Sequence, residues 1–263
     1  MSDPILTRTD SNGVARLTLN RPAALNALSD DMIAALRDEL AGLAADDATR
    51  VVILAGAGKA FCAGHDLREM QAAREAGDGG AAYFSDLFAR CGALMQGLQA
   101  LPQPVIAEVH GIATAAGCQL VASCDMAVAA AETRFGVNGV NIGLFCSTPM
   151  VALTRAVPRK AAFEMLTTGQ FIDAARAAEI GLINRAVAPE ALRAETDALA
   201  ETVAAKLGAA VRIGKRAFYA QAEMTTAEAY AHTGAVMAEN MMLRDTHEGI
   251  AAFLDKRAPD WSG

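Results

Sequence analysis

Three short apolar runs, RVVILAG (50–56), VIAEVHG (105–111) and MAVAA (126–130), constrain this chain more than any other feature. Each is too short for a helix, and the first two are rich in β-branched residues and close on glycine. They read as strands buried within a sheet. Ahead of them, ILTRT and VARLTLN read as two strands joined by the turn DSNG. Ser29 is a good N-cap for an amphipathic helix ending near Ala45. A longer helix is predicted over 82–101, with Pro102 and Pro104 marking its end. After VIAEVHG the small-residue stretch AAGCQLVASCD (115–125) is expected to enter a helix at once. Beyond about Pro158 the pattern reads as nearly all helix, with Gly169, Gly181 and Gly208 as helix stops. The expectation is a βα core followed by a helical C-terminal portion.

Composition matters here for what it excludes. The 263 residues can bury a full core without disulfides, and 53% are hydrophobic but only 5% aromatic. Such a core is built from Ala, Val, Leu and Ile. A formal charge of −7 argues against a nucleic-acid binder. Five cysteines, Cys62, Cys91, Cys118, Cys124 and Cys146, include no C-x-x-C pair and read as buried, reduced thiols. The opening residues lack an apolar signal core or transit-peptide character, and no apolar run reaches membrane-spanning length. The expectation is therefore a cytoplasmic protein without membrane contact.

Two strand-to-loop turns invite a functional reading: GAGKAFCAGHDL (56–67) and HGIATAAGCQL (110–120). Neither carries the order of a nucleotide-binding glycine loop. Each alone is as consistent with a packing turn as with a site, but together they can aim backbone N–H groups at one point. His110, His232 and His247 read as structural or surface residues, and Asp66 and Asp125 as turn residues. Cys146 has no evident base beside it, and no metal-ligand spacing is present.

Six ordered stretches resemble the enoyl-CoA hydratase/isomerase family, also called the crotonase superfamily. They are LNRPAALNAL, KAFCAGHDL, VIAEVHGIATAAGCQLVASCDMAVA, RFGVNGVNIGL, AAEIGLINRAV and FLDKRAPDW, and they run through nearly the whole chain. Within the family, AAGCQLVASCD and GLFCSTP most resemble one branch, the enoyl-CoA hydratase domain-containing proteins. The resemblance implies an α/β crotonase fold with a repeated ββα spiral core over 1–200 and a helical trimerisation region over 201–263. It implies a homotrimer or dimer of trimers, with an acyl-CoA thioester as ligand and no other cofactor. The oxyanion hole of the family, two backbone N–H groups that hold the thioester oxygen, falls on His65 and Ala116. Contacts to coenzyme A fall on Lys59, Ala63 and Arg68, and on Phe253 and Lys256, which often reach it from a neighbouring subunit. Ala23 stands where relatives often carry lysine.

The two glutamates of the family's hydratases fall on Gln119 and Gly139, and residues 135–155 contain no Asp or Glu at all. A positioned proton-transfer group is worth about 10²–10⁴-fold, and an amide does not supply it. Three readings follow: a weak hydratase-like enzyme, a decarboxylase of malonyl-type CoA esters that needs no carboxylate base, or a non-catalytic acyl-CoA-binding protein. Sequence alone also predicts that restoring both glutamates recovers part of the hydration activity.

Overall fold

In a computed structural model, residues 3–261 are described. The chain opens with a hairpin of β1 (Leu6–Ser11) and β2 (Val14–Leu19), antiparallel, with Leu6 opposite Leu19 and Ser11 opposite Val14. Asn12 and Gly13 supply the positive φ angles, 50° and 76°, that a two-residue hairpin turn of this hand requires. Helix α1 (Asp30–Ala44) starts at Ser29, whose side chain accepts from the Met32 N–H at 3.2 Å. Strand β3 (Val51–Gly56) then lies parallel to β2. Helices α2 (Leu67–Ala73) and α3 (Ala81–Ala100) follow.

From there the chain alternates between two sheets. Strand β4 (Val105–Val109) joins the main sheet, β5 (Ile112–Thr114) joins a small one, and α4 (Ala116–Ser123) closes the unit. The pattern repeats with β6 (Met126–Ala130), β7 (Arg134–Gly136) and α5 (Ser147–Ala156). Next come α6 (Arg159–Thr168), β8 (Ile172–Asp173), α7 (Ala174–Glu179), β9 (Arg185–Val187) and α8 (Leu192–Ala204). The main sheet runs β1-β2-β3-β4-β6-β9 and the small one β5-β7-β8. This is the expected crotonase fold, two ββα turns of a spiral.

Strand alternation explains the two-sided burial. Along β3, Val52 and Leu54 face the principal core with Leu36, Leu94 and Leu98 of α1 and α3. Val51 and Ile53 point the other way and pack with Ile106 against Ala200 of α8. The expected boundary at residue 200 therefore falls inside a helix that belongs to the sheet. The helical region begins after it, with α9 (Gly208–Gln221), α10 (Thr226–Met241) and α11 (Arg244–Leu254).

Three further expectations are corrected. The helix does not follow VIAEVHG at once, because β5 intervenes and registers on β7. The C-terminal half is not all helical, since β9 extends the main sheet beside β6. Gly208 starts α9 instead of stopping a helix, and a side chain there would lie 2.6 Å from the Arg50 guanidinium.

Helix α9 is fastened by a buried cluster. Lys215 Nζ donates to Leu98 O at 2.9 Å, Gln103 O at 3.0 Å and the Asp125 carboxylate at 2.7 Å. The Tyr219 hydroxyl donates to the other Asp125 oxygen at 2.7 Å, and the Val105 N–H to Asp125 at 2.6 Å. Burial lowers the Lys215 pKa against the opposing pull of Asp125, and burial followed by Asp125 raises that of Tyr219. Asp125 is structural, as expected from its turn.

Candidate functional site

The site is built where two segments meet the N-terminal turn of α4. A parallel bridge pairs Leu28 with His65: the Leu28 N–H donates to Gly64 O at 2.7 Å, and the Asp66 N–H donates to Leu28 O at 3.3 Å. In such a bridge the N–H of the middle residue, His65, points away from the partner strand. Ala116 is the first residue of α4, where a helix leaves its N–H groups unused. Neither the His65 nor the Ala116 N–H donates to another group among the described residues.

These two segments touch. A side chain on Gly64 would come within 3.0 Å of the Ala115 methyl group and 3.4 Å of the Ala116 nitrogen. A Cβ on Gly117 would overlap the Cys62 carbonyl oxygen, so only glycine lets α4 approach this closely. Ala115, the residue before the helix, has φ 50° and ψ −119°, a conformation disfavoured for any residue with a Cβ. Its N–H donates to Gly136 O at 2.9 Å, and its carbonyl accepts from the Gln119 N–H at 3.0 Å. The surrounding bonds hold the strained residue and so fix the direction of the next N–H.

His65 and Ala116 line one cavity of about 340 Å³, together with Ala63, Gly139, Met70, Phe88 and the turn from Leu144 to Pro149. Among the described residues no Asp, Glu, Lys or Arg lines it. The His65 ring meets Phe88 edge to face, with centroids 5.8 Å apart. Both ring nitrogens are buried without a well-placed hydrogen-bond partner. Burial lowers the imidazole pKa, opposed by the nearby Leu28 backbone. The ring is therefore a neutral part of the wall.

Gln119 is not in the wall. It is buried behind it, donating from Nε2 to Thr148 O at 3.2 Å and accepting from the Cys91 thiol at 4.0 Å. Its amide ties α4 to the first turn of α5, and a carboxylate could not donate to that carbonyl. Gly139 does line the cavity, but a Cβ there would overlap the Leu144 carbonyl oxygen and lie 2.9 Å from Cys146 Sγ. The 138–146 turn has closed over the place where a side chain would begin. This undercuts the sequence-based expectation that two introduced glutamates restore hydration.

The remaining expected positions are not brought to the cavity wall. Lys59 and Arg68 are exposed and do not line it, although Arg68 stands in the first turn of α2, capped by Asp66. Phe253 is 82% exposed on α11 and Lys256 follows that helix; neither shares a wall with the cavity in a single chain. Cys146 lines the cavity, with burial raising its thiol pKa, and Cys62, Cys91 and Cys118 are pushed up to about 12 by burial. All five cysteines are free. His110 is engaged with Gly58 O at 2.9 Å. Met70, Phe88 and Phe145 were not singled out from sequence, because an apolar wall residue carries the same pattern as a core residue. No cluster of metal-ligating residues occurs among the described residues.

Comparison with known proteins gives a consistent picture. A family model described as enoyl-CoA hydratase/isomerase matches residues 9–263. The chain is 45% identical over 259 residues to the mitochondrial enoyl-CoA hydratase domain-containing protein 3 of Xenopus laevis, covering 98% of this chain and 86% of that protein. A crystal structure of an enoyl-CoA hydratase from Mycobacterium smegmatis superposes with a TM-score of 0.95 at 55% identity, covering 99% of this chain and all of that one. The human enoyl-CoA hydratase domain-containing protein 3 superposes with a TM-score of 0.93 at 41% identity, covering 98% and 100%. One expectation is overturned: the vertebrate relatives carry a mitochondrial designation, which contradicts the cytoplasmic reading.

Proposed function

The chain belongs to the enoyl-CoA hydratase/isomerase family, and from that premise we propose that it holds an acyl-CoA thioester with its carbonyl oxygen between the His65 and Ala116 N–H groups. The observation that carries this reading is the pair of unused N–H groups on one wall of an uncharged cavity. An oxygen placed there gains two charge-stabilising donors, and removing one such donor typically costs ~2.7–4 kcal/mol in a transition state. Lys59 and Arg68 would meet the nucleotide phosphates outside the cavity.

Proton handling is the missing half. Gln119 is spent on Thr148, and Gly139 has no side chain, so hydration is expected to run roughly 10²–10⁴-fold below a hydratase with both carboxylates. A malonyl-type decarboxylase is disfavoured because no cation lines the cavity to receive the substrate's carboxylate. A non-catalytic acyl-CoA-binding role is the second reading, favoured by the engagement of Gln119 behind the wall. Calorimetric titration with a non-hydrolysable acyl-CoA, followed by a time course of hydroxyacyl product from crotonyl-CoA, tests the proposal. Binding with very slow hydration supports it; absence of binding refutes it.

We also propose assembly as a homotrimer or dimer of trimers. Helix α10 has no buried residue over its 16 positions, and Tyr230, Met237, Met242 and Phe253 are exposed on α10, α11 and the turn between them. Apolar faces of this kind are covered in closed assemblies, which would also bring Phe253 and Lys256 to a neighbour's site. Light scattering at micromolar concentration is expected to show a multiple of three chains, and a monomer would remove the proposal.

A further inference from the structure

A thiol occupies the place of a missing carboxylate. The Cys146 sulfur lies 2.9 Å from where a Cβ on Gly139 would sit, so it fills the start of the space a side chain at 139 would take. The sequence resemblance puts one of the two hydratase glutamates at that position. Cys146 is 6% exposed, and among the described residues no other cysteine lines the cavity.

The thiol does not stand alone. The unused N–H groups of His65 and Ala116 belong to the same cavity and call for an oxygen ligand that carries negative charge. Both His65 ring nitrogens are buried on that wall without a partner. Cys146 is also the N-cap residue of α5, and its side chain makes no capping bond. The start of a ten-residue helix favours negative charge developing on a sulfur beside it. Burial raises the thiol pKa, opposed by the Gly139 backbone, so the resting sulfur keeps its proton. An electrophile that suits this arrangement has a carbonyl oxygen for the N–H pair and an electron-poor carbon for the sulfur.

We propose that Cys146 adds to the β-carbon of an α,β-unsaturated acyl-CoA, so that the site captures this thioester covalently instead of hydrating it. The sulfur–carbon bond forms as the carbon–carbon π bond breaks. Its electron pair passes into an enolate whose oxygen sits between the two N–H groups, and the thiol proton ends on the α-carbon. Nothing is released and no further reactant is consumed. Reversal of the resulting thioether needs a base to remove the α-proton, and among the described residues no Asp or Glu lines the cavity, so the adduct persists. The inference rests on the acyl-CoA reading above and adds a covalent step to the same site.

The test incubates the full chain with crotonyl-CoA or with butyryl-CoA, which lacks the double bond, followed by intact-protein and peptide mass spectrometry. One crotonyl-CoA per chain, mapped to Cys146, is expected, while butyryl-CoA leaves the mass unchanged. A single oxyanion donor is typically worth about 10²–10³-fold, so the folded chain should form the adduct at least about tenfold faster than the chain unfolded in urea. Cys146→Ser should abolish the adduct, and the peptide map of the parent decides the site even where that variant fails to fold. Calorimetric binding of butyryl-CoA with no crotonyl adduct overturns the role of the thiol and leaves the acyl-CoA reading intact. So does an adduct on another cysteine, or one formed no faster in the folded chain. Failure of butyryl-CoA to bind overturns the acyl-CoA reading itself.

Discussion

The two sides of the cavity are made of different material. One side is backbone: His65 and Ala116 present N–H groups fixed by a parallel bridge, a glycine-tight helix contact and a strained alanine. On the other side, where the sequence resemblance places the two carboxylates of a hydratase, there is a buried amide behind the wall and a glycine under a closed turn. A function supplied by backbone survives almost any change of side chain, provided the path of the chain is kept. A function supplied by side chains can be lost in two substitutions, and packing then fills the space.

The most disruptive way to break this contrast is to force carboxylates back. Gly139→Glu must displace the Leu144 carbonyl and Cys146, backbone and side chain that have no slack. Overpacking of this kind typically costs about 1–3 kcal/mol and sometimes more. Gln119→Glu removes the donor to Thr148 O, leaving that carbonyl facing an acid. The double variant is expected to melt well below the parent and to hydrate crotonyl-CoA no faster. A stable double variant with recovered hydration would show that the 138–146 turn opens readily, contrary to the geometry here.

That expectation reverses what sequence alone suggests, and the reason is instructive. The identities at 119 and 139 were legible, but not what surrounds them. Helix spacing places Gln119 one turn after Ala116, yet says nothing about whether its amide meets the cavity or Thr148. The fold was more legible, because β3, β4 and β6 announce themselves as buried apolar runs and Ser29 as a cap. What escaped were the strands β5, β7, β8 and β9, of two or three residues and too short to show a period, and the start of α9 at Gly208. That helix carries Lys215 on its buried side, where apolar patterning expects a hydrophobe, and the Asp125 carboxylate with the Leu98 and Gln103 carbonyls makes the placement reasonable.

A second contrast, between a neutral and a charged wall, can be sharpened with pH. Burial lowers the His65 pKa below its ordinary 6.5, so the unfolded chain binds a proton there more readily than the native one. Stability associated with neutral His65 is fully present above about pH 6.5 and is lost as pH falls through the lower folded value. Denaturation midpoints between pH 7.5 and 5 should fall, and His65→Phe should flatten that dependence while preserving the aromatic contact with Phe88. An identical pH profile in the variant would place the acid sensitivity elsewhere.

The smallest expected effect lies at Ala115, on the side built from backbone. Its φ of 50° with ψ of −119° costs an alanine of order 1–3 kcal/mol. Glycine adopts this conformation freely but loses about 0.5–1 kcal/mol through the greater entropy of the unfolded chain. The net outcome of Ala115→Gly should therefore be a modest stabilisation, about 1 kcal/mol, read from denaturant midpoints. Binding should move the other way. With the methyl group gone, residue 115 can adopt other backbone conformations, and the Ala116 N–H is no longer held in one direction. Acyl-CoA affinity is expected to fall a few-fold while stability rises. That opposition separates a strained residue kept for the site from one the fold merely tolerates. If stability and affinity fall together, Ala115 is an ordinary packing residue, and the precision of the N–H pair has another source.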